Sequence, residues 1–348
     1  MFERIAPEQH DTLEGIPEPS ENPHLFGHGE TAAMIAGMYR AGKLPHALLL
    51  SGPRGIGKAT FAYHVAHHLL SYPTHRDAPE ALASPDPATP LSRQMAMGAH
   101  PAILHLTRPF DDKGKKFKTV LTVEEIRRVS RFLSMTSHDG GYRVIIVDPA
   151  DDMNTNAANA LLKNLEEPPA RTIFMLIAHS NGALLPTIRS RCQMIRLSPL
   201  DDANLAAALR GALAPQGGEA TAQAALLARA GGSVRDAILL GEYGGLEIAD
   251  ALKSLVERAN VAGAHKLAEV VAARGEDIRF DIFNENALDL LSEKASAAAR
   301  AGGLAQARHL ADAWQEARNA ISDTDTYNLD RKQHALTMIE RLNAAMRM

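Results

Sequence analysis

Cysteine is nearly absent from this chain. Its 348 residues include one, Cys192, which excludes an intramolecular disulfide and any zinc site built from several thiolates. No run approaches the ~20 apolar residues that cross a bilayer. Met1 is not followed by the basic and then apolar regions of a secretory signal. These absences predict a cytoplasmic protein with no membrane partner. There is no excess of positive charge either: the net charge is −4, so no global field draws the chain onto nucleic acid, and any such contact must be local or shared with partners. Internal repeats are missing, which excludes a solenoid. His64 and His68 stand four residues apart, but no further ligands accompany them, and no metal site is assigned.

What is present is ordinary globular material, 45% hydrophobic and 22% charged, enough for two or three domains. Residues 1–24 are rich in Pro and Glu, lack periodicity and read as a loose N-terminal arm. Helical spacing covers 29–42. Apolar, strand-like segments follow at 46–51, 102–107, 143–148, 172–178 and 193–197, most of them separated by helical patterns. That alternation predicts a parallel sheet covered on both faces. Thr122-x-x-Glu125 predicts a capping box at the head of a helix over 122–135. Another helix, 155–167, must stop at Pro168-Pro169. Residues 72–92 carry five prolines and read as a long excursion. Residues 108–119, with four lysines, read as an exposed loop. After Pro199 the chain turns Ala-, Leu- and Arg-rich, which favours helix. The expected division is an α/β core over 25–198 with an insertion at about 72–98, a helical lid over 199–243, and an all-helical domain over 244–348.

The most informative segment follows the first strand: Gly52-Pro53-Arg54-Gly55-Ile56-Gly57-Lys58-Ala59-Thr60. Gly-x-x-x-x-Gly-Lys between a strand and a helix is a phosphate-binding P-loop, in which backbone N–H groups and the lysine hold phosphate oxygens. The next residue should be Ser or Thr, whose hydroxyl holds Mg²⁺; here it is Ala59. Thr60 is one residue along, rotated by about 100° on the helix. A second apolar strand ends in Asp148, the pattern of an acid set beside Mg²⁺. Pro149 stands where many hydrolysing relatives carry a Glu to orient water. The loop is thus compatible with ATP or ADP, while its Mg²⁺ site is degenerate and hydrolysis is expected to be weak or absent.

Three further runs carry a resemblance. Gly98-Ala-His100-Pro101, Asn154-x-Asn156-Ala-Ala-Asn-Ala-Leu-Leu-Lys163-Asn-Leu-Glu-Glu-Pro-Pro169 and Leu184-Leu-Pro-Thr-Ile-Arg-Ser-Arg-Cys192, following the P-loop in this order, resemble bacterial clamp-loader AAA+ subunits over residues 25–200. The resemblance implies a RecA-like α/β P-loop core, a helical lid and a helical collar. It implies gamma, tau and delta subunits as partners, and a sliding clamp and primed DNA reached through the complex. Arg191, in Ser190-Arg191-Cys192, would be an arginine finger reaching a neighbour's γ-phosphate. Arg235 would be the lid's sensor-2 arginine, and sensor 1 would fall near His179-Ser180. Without Ser/Thr at 59, the zinc-binding cysteines or the Glu at 149, the chain resembles the family's largely non-hydrolysing members, with no zinc. Cys192 reads as a buried apolar residue. An active gamma- or tau-like ATPase and an unrelated P-loop kinase are the rival readings.

Overall fold

The computed structural model describes residues 4–135, 141–179, 184–212 and 220–347. Two compact units make up the chain, Met1–Asp236 and Ala237–Met348. In the first, α1 (Gly29–Arg40), β1 (Ala47–Ser51), α2 (Lys58–Ser71) and α3 (Pro90–Ala96) lead to β2 (Ile103–Leu106) and a small hairpin of β3 (Phe110–Asp111) and β4 (Lys116–Phe117). Then come α4 (Val123–Ser134), β5 (Arg143–Val147), α5 (Thr155–Glu166), β6 (Thr172–Ala178), α6 (Pro186–Arg189), β7 (Gln193–Arg196), α7 (Asp202–Ala212) and α8 (Ala220–Ala230). Helix α9 (Val234–Glu242) crosses the division.

The strands form one five-stranded sheet in the order β2-β5-β6-β1-β7, with every pairing parallel. Side chains alternate between its faces, as the two-residue period of a strand requires. Leu48, Leu50, Val144, Ile146, Met175 and Ile177 enter one core with Ile35, Phe61 and Val65 from α1 and α2. Leu49, Ile145, Val147, Phe174 and Leu176 enter the other with Ile126, Val129 and Leu161 from α4 and α5. Both faces are covered, which is why these strands read as continuous apolar runs rather than alternating ones.

Several local expectations are corrected. The arm is not loose between residues 4 and 24. The Glu21 carboxylate accepts from the N–H groups of Ile5, Ala6 and Glu18. Arg4 donates to the carbonyls of Leu13 and Ile16, and Leu13 is buried. The lysine-rich stretch is not a plain loop, because Phe110 and Phe117 face each other edge-on at 5.2 Å across the hairpin. No capping box forms at α4: the Thr122 side chain makes no cap bond, and Glu125 pairs with Arg128 at 2.6 Å instead. Inside the excursion, Thr89 caps α3 by accepting from the Ser92 N–H.

The second unit is helical: α10 (Gly245–Glu257), α11 (Val261–Val271), α12 (Asp277–Arg300), α13 (Leu304–Tyr327) and α14 (Arg331–Met346). Phe280, Phe283, Ala287 and Leu291 mark the buried stripe of α12, at helical spacing. No helix among the described residues is long and apolar enough to cross a membrane. Among those residues, no group of three or more His, Cys, Asp and Glu could hold a metal ion.

A buried imidazole ties three of these helices together. His334 Nε2 lies 2.9 Å from Asn284 Oδ1 and Nδ1 2.7 Å from Thr324 Oγ1. Burial, assisted by Arg341, holds its pKa down at about 4, against about 6.5 in an unfolded chain. Between those values the unfolded state takes up a proton that the folded state refuses. Stability is therefore full above about 6.5 and lost as the pH falls toward about 4. Trp314 in α13 is the sole tryptophan and reports this unit. Its urea unfolding midpoint is expected to fall across that window in the wild type and to fall less steeply in His334→Gln. Equal slopes would remove His334 as the cause.

Candidate functional site

The P-loop grows from the carboxyl end of β1. Gly52 is required by close approach: a Cβ there would lie 2.3 Å from the Leu197 carbonyl oxygen. Gly55 has φ +74, and a Cβ would lie 2.2 Å from Ser233 Oγ. That proximity is the mark of a docked contact, since the Gly55 carbonyl accepts from the Val234 N–H at the head of α9 at 2.9 Å. Ile56 is buried, and its carbonyl lies 2.7 Å from His28 Nε2. Gly57, at φ +91, turns the chain into α2.

Lys58 is only 3% exposed. Its Nζ donates to the Gly52 carbonyl at 2.7 Å and to that of Pro53. Burial lowers its pKa to about 8, although Asp148 and Asp151 pull the other way. Ala59 packs against the core. Asp148 follows β5 at the same edge. Burial, aided by Asp11, pushes its carboxyl up to about 7, and Lys58 and Arg54 offset this only in part. Asp151 accepts from the His179 N–H at 2.7 Å, and Arg108 pairs with Asp152 at 2.5 Å. Burial first, then Lys58 and Arg54, takes the His179 imidazole down to about 3. Ser180 lies outside the described residues.

Sequence reasoning missed the arm here. His10 Nδ1 lies 3.2 Å from Thr107 Oγ1, just beyond β2. Arg235 Nη1 donates to the Asp11 main-chain carbonyl. Burial works to raise the Asp11 carboxyl, but His10, Arg235, Arg54 and His179 outweigh it and hold the pKa below the usual range. Burial drives the His10 imidazole down to about 4. The adjacent His10-Asp11 pair was the only trace of this contact in the sequence.

The P-loop, Asp148 and Arg235 are thus assembled at one edge. Arg191 stands apart, just after α6. Its Nη2 pairs with Glu166 at 2.6 Å, both side chains partly exposed, and its Nη1 donates to the Thr187 carbonyl at 2.9 Å. Burial raises the Cys192 thiol to about 11, the behaviour of a packed rather than a reactive cysteine. A nucleotide is implied by such a loop, but the residues as folded do not fit one. The lysine that should meet phosphate is spent on its own loop, Arg235 is engaged by Asp11, and residue 59 offers no hydroxyl.

An all-parallel sheet in this order, with a glycine loop leaving the inner strand β1, an acid closing β5, and a helical unit later in the chain, defines a P-loop NTPase fold of the AAA+ type. Residues 27–201 match the family described as DNA polymerase III, delta subunit. That is half of the chain, and the chain belongs to this family. It is 40% identical over 147 residues to DNA polymerase III subunit delta' of Pseudomonas aeruginosa, covering 42% of this chain and 41% of that protein. The Escherichia coli protein of the same name is 34% identical over 167 residues, 47% of this chain and 46% of its own. The chain thus spans less than half the length of these relatives. A solved gamma subunit-related protein from Thermotoga maritima aligns over 91% of this chain and 98% of its own, at 16% identity and a TM-score of 0.43.

The misfit of the loop yields a direct expectation. Calorimetric titration of the wild type with MgATP, and of Lys58→Ala, should give the same heats, because the Lys58 ammonium is turned away from phosphate. A binding heat in the wild type that Lys58→Ala abolishes would overturn this account of the loop.

Proposed function

We propose that this chain acts as a delta-prime-type subunit of a DNA polymerase III clamp loader, and that its contribution is positional rather than hydrolytic. Residues 52–60 with Asp148 would retain the architecture of an ATPase site without its turnover, since the position after Lys58 cannot supply a Mg²⁺ ligand. Helices α10–α14 would form the collar by which subunits associate. Gamma or tau and delta subunits are the proposed neighbours, the sliding clamp and primed DNA are reached through them, and a cytoplasmic location follows from that role.

The observation that carries this reading is a contrast between two cations. Lys58 is buried against carbonyls of its own loop, whereas Arg191 is presented at the surface, its side chain 35% exposed. A guanidinium has five N–H donors in a planar fork, and the contacts to Glu166 and Thr187 use only part of them. An exposed ion pair of this kind is worth about 0–1 kcal/mol. Glu166 therefore orients Arg191 without locking it. An arginine so held suits an arginine finger completing an adjacent subunit's ATP site in trans, stabilising charge on the transferring phosphoryl group.

Arg191→Ala is expected to lower the DNA-dependent ATPase of the reconstituted loader, by roughly tenfold or more at the site it completes, while subunit assembly by gel filtration is unchanged. Undiminished ATPase in an assembled complex would end the finger assignment.

A further inference from the structure

Arg191 is held on both of its terminal nitrogens by its own subunit. Nη2 pairs with Glu166 at 2.6 Å. Nη1 donates to the Thr187 carbonyl at 2.9 Å and lies 3.4 Å from Ser190 Oγ. A partner on one nitrogen lets a guanidinium swing, whereas partners on both fix the plane of the fork. Thr187 and Ser190 are neighbours of Arg191 in the chain and accompany it through the same turn. Glu166 is the partner brought from another element, α5.

Local rules do not explain a carboxylate at this point. Glu166 is the last residue of α5, where free carbonyls carry the negative end of the helix dipole. A cation suits that position, and an acid there is unfavourable unless a group outside the helix answers it. Proteins break such local rules chiefly at functional sites. The backbone beneath Glu166 is also anchored. Leu165 is buried and enters the same core as Ile188 of α6. His46 Nε2 donates to the Leu165 carbonyl at 3.0 Å. The His46 carbonyl in turn accepts from the Phe174 N–H at 2.7 Å. The end of α5 is thereby tied to the chain entering β1 and to β6.

We propose that Glu166 is the positioning residue of the arginine finger. The inference rests on the finger assignment of Arg191 and adds what sets that side chain for its task. In this role Glu166 acts only through Arg191. With the guanidinium plane set beforehand, the donors that Glu166 and Thr187 leave over need no search when phosphoryl transfer begins. A group that serves the transition state in this way changes kcat and leaves KM for ATP alone.

Steady-state DNA-dependent ATPase of the reconstituted loader tests this, with Arg191→Ala, Glu166→Ala, Glu166→Asp and the double variant of Glu166→Ala with Arg191→Ala. The turnover that Arg191→Ala removes is the finger's share. Glu166→Ala should lower kcat for that share by roughly two- to fivefold, the strength of an exposed ion pair, with KM unchanged. Glu166→Asp, which keeps the charge, should recover most of the loss. The double variant should match Arg191→Ala alone, because a positioning residue has no effect once its arginine is gone. The inference is overturned if Glu166→Ala turns over like the wild type or faster, or if its KM rises while kcat holds. It is overturned equally if the double variant falls below Arg191→Ala, which marks a structural role. Should Glu166→Ala fail to assemble by gel filtration, Glu166→Gln, which keeps the shape without the charge, decides by the same readings. If Arg191→Ala itself costs no turnover, the finger assignment fails and this inference with it. A loss in Arg191→Ala with none in Glu166→Ala leaves the assignment standing and overturns the inference alone.

Discussion

The position of β1 governs the first unit. It is hydrogen-bonded on both edges, to β6 and to β7, and buried on both faces along its whole length. A strand so enclosed has no freedom to shift, because a one-residue slip would send Leu48 and Leu50 to the opposite core. Its carboxyl end must therefore release the glycine loop at a fixed point, between the ends of β6 and β7. The contacts that define the loop follow from that placement: Gly52 under the Leu197 carbonyl, Gly55 against the head of α9, and Ile56 in the core. A phosphate cradle can persist here for structural reasons alone. Ile56 and the Gly55–Val234 hydrogen bond join sheet and α9 whether or not a ligand enters.

Two charged groups of this edge, Lys58 and Asp148, are both shifted by burial. Catalysis of phosphoryl transfer needs a charged lysine and a charged acid, the latter beside a divalent cation. Burial moves both groups toward neutrality, Lys58 to about 8 and Asp148 to about 7. The lysine stays satisfied because two loop carbonyls accept from it. Burial raises the Asp148 carboxyl, and Asp11 raises its pKa further. Lys58 and Arg54 offset this only in part.

Much of this was legible in the sequence, and the remainder fails for identifiable reasons. The inner strands β1, β5 and β6 announce themselves because both faces are buried, so each is a largely apolar run bounded by turn residues; Thr172–Ala178 is the clearest case. The loop and Asp148 are legible because their chemistry is local, a few residues on either side of one strand end. The β3–β4 hairpin was hidden by its lysines, since only the Phe110–Phe117 pair speaks for it. The capping box at Thr122 failed because Glu125 had a better partner, a cation one turn along rather than a backbone N–H behind it. The arm was illegible for a deeper reason. Its contacts are side chain to distant backbone, Arg235 with Asp11 being 224 residues apart, and no periodicity encodes such a contact. Proline and glutamate richness marks a segment that cannot fold alone; it does not say whether the segment folds onto something else.

The same edge also bears on why a degenerate loop and a presented arginine belong together in the proposed assignment. An arginine finger contributes only where another subunit holds the transferring phosphate, so nothing in its own subunit's loop need be active. Conversely, a loop freed from turnover can tolerate Ala59, a buried Lys58 and an Arg235 held by the arm, provided the fold that carries Arg191 is kept. That fold runs from the loop through β1 to its neighbour β6, and α6 with Ser190-Arg191 bridges β6 and β7. Glu166, at the end of α5, then completes the support of the guanidinium from the face opposite α2. Keeping the cradle rigid is in this view the means of keeping Arg191 in place. An arm pinned by Arg4, Glu18, Glu21 and Arg235 adds to that rigidity without any ligand to supply or exchange.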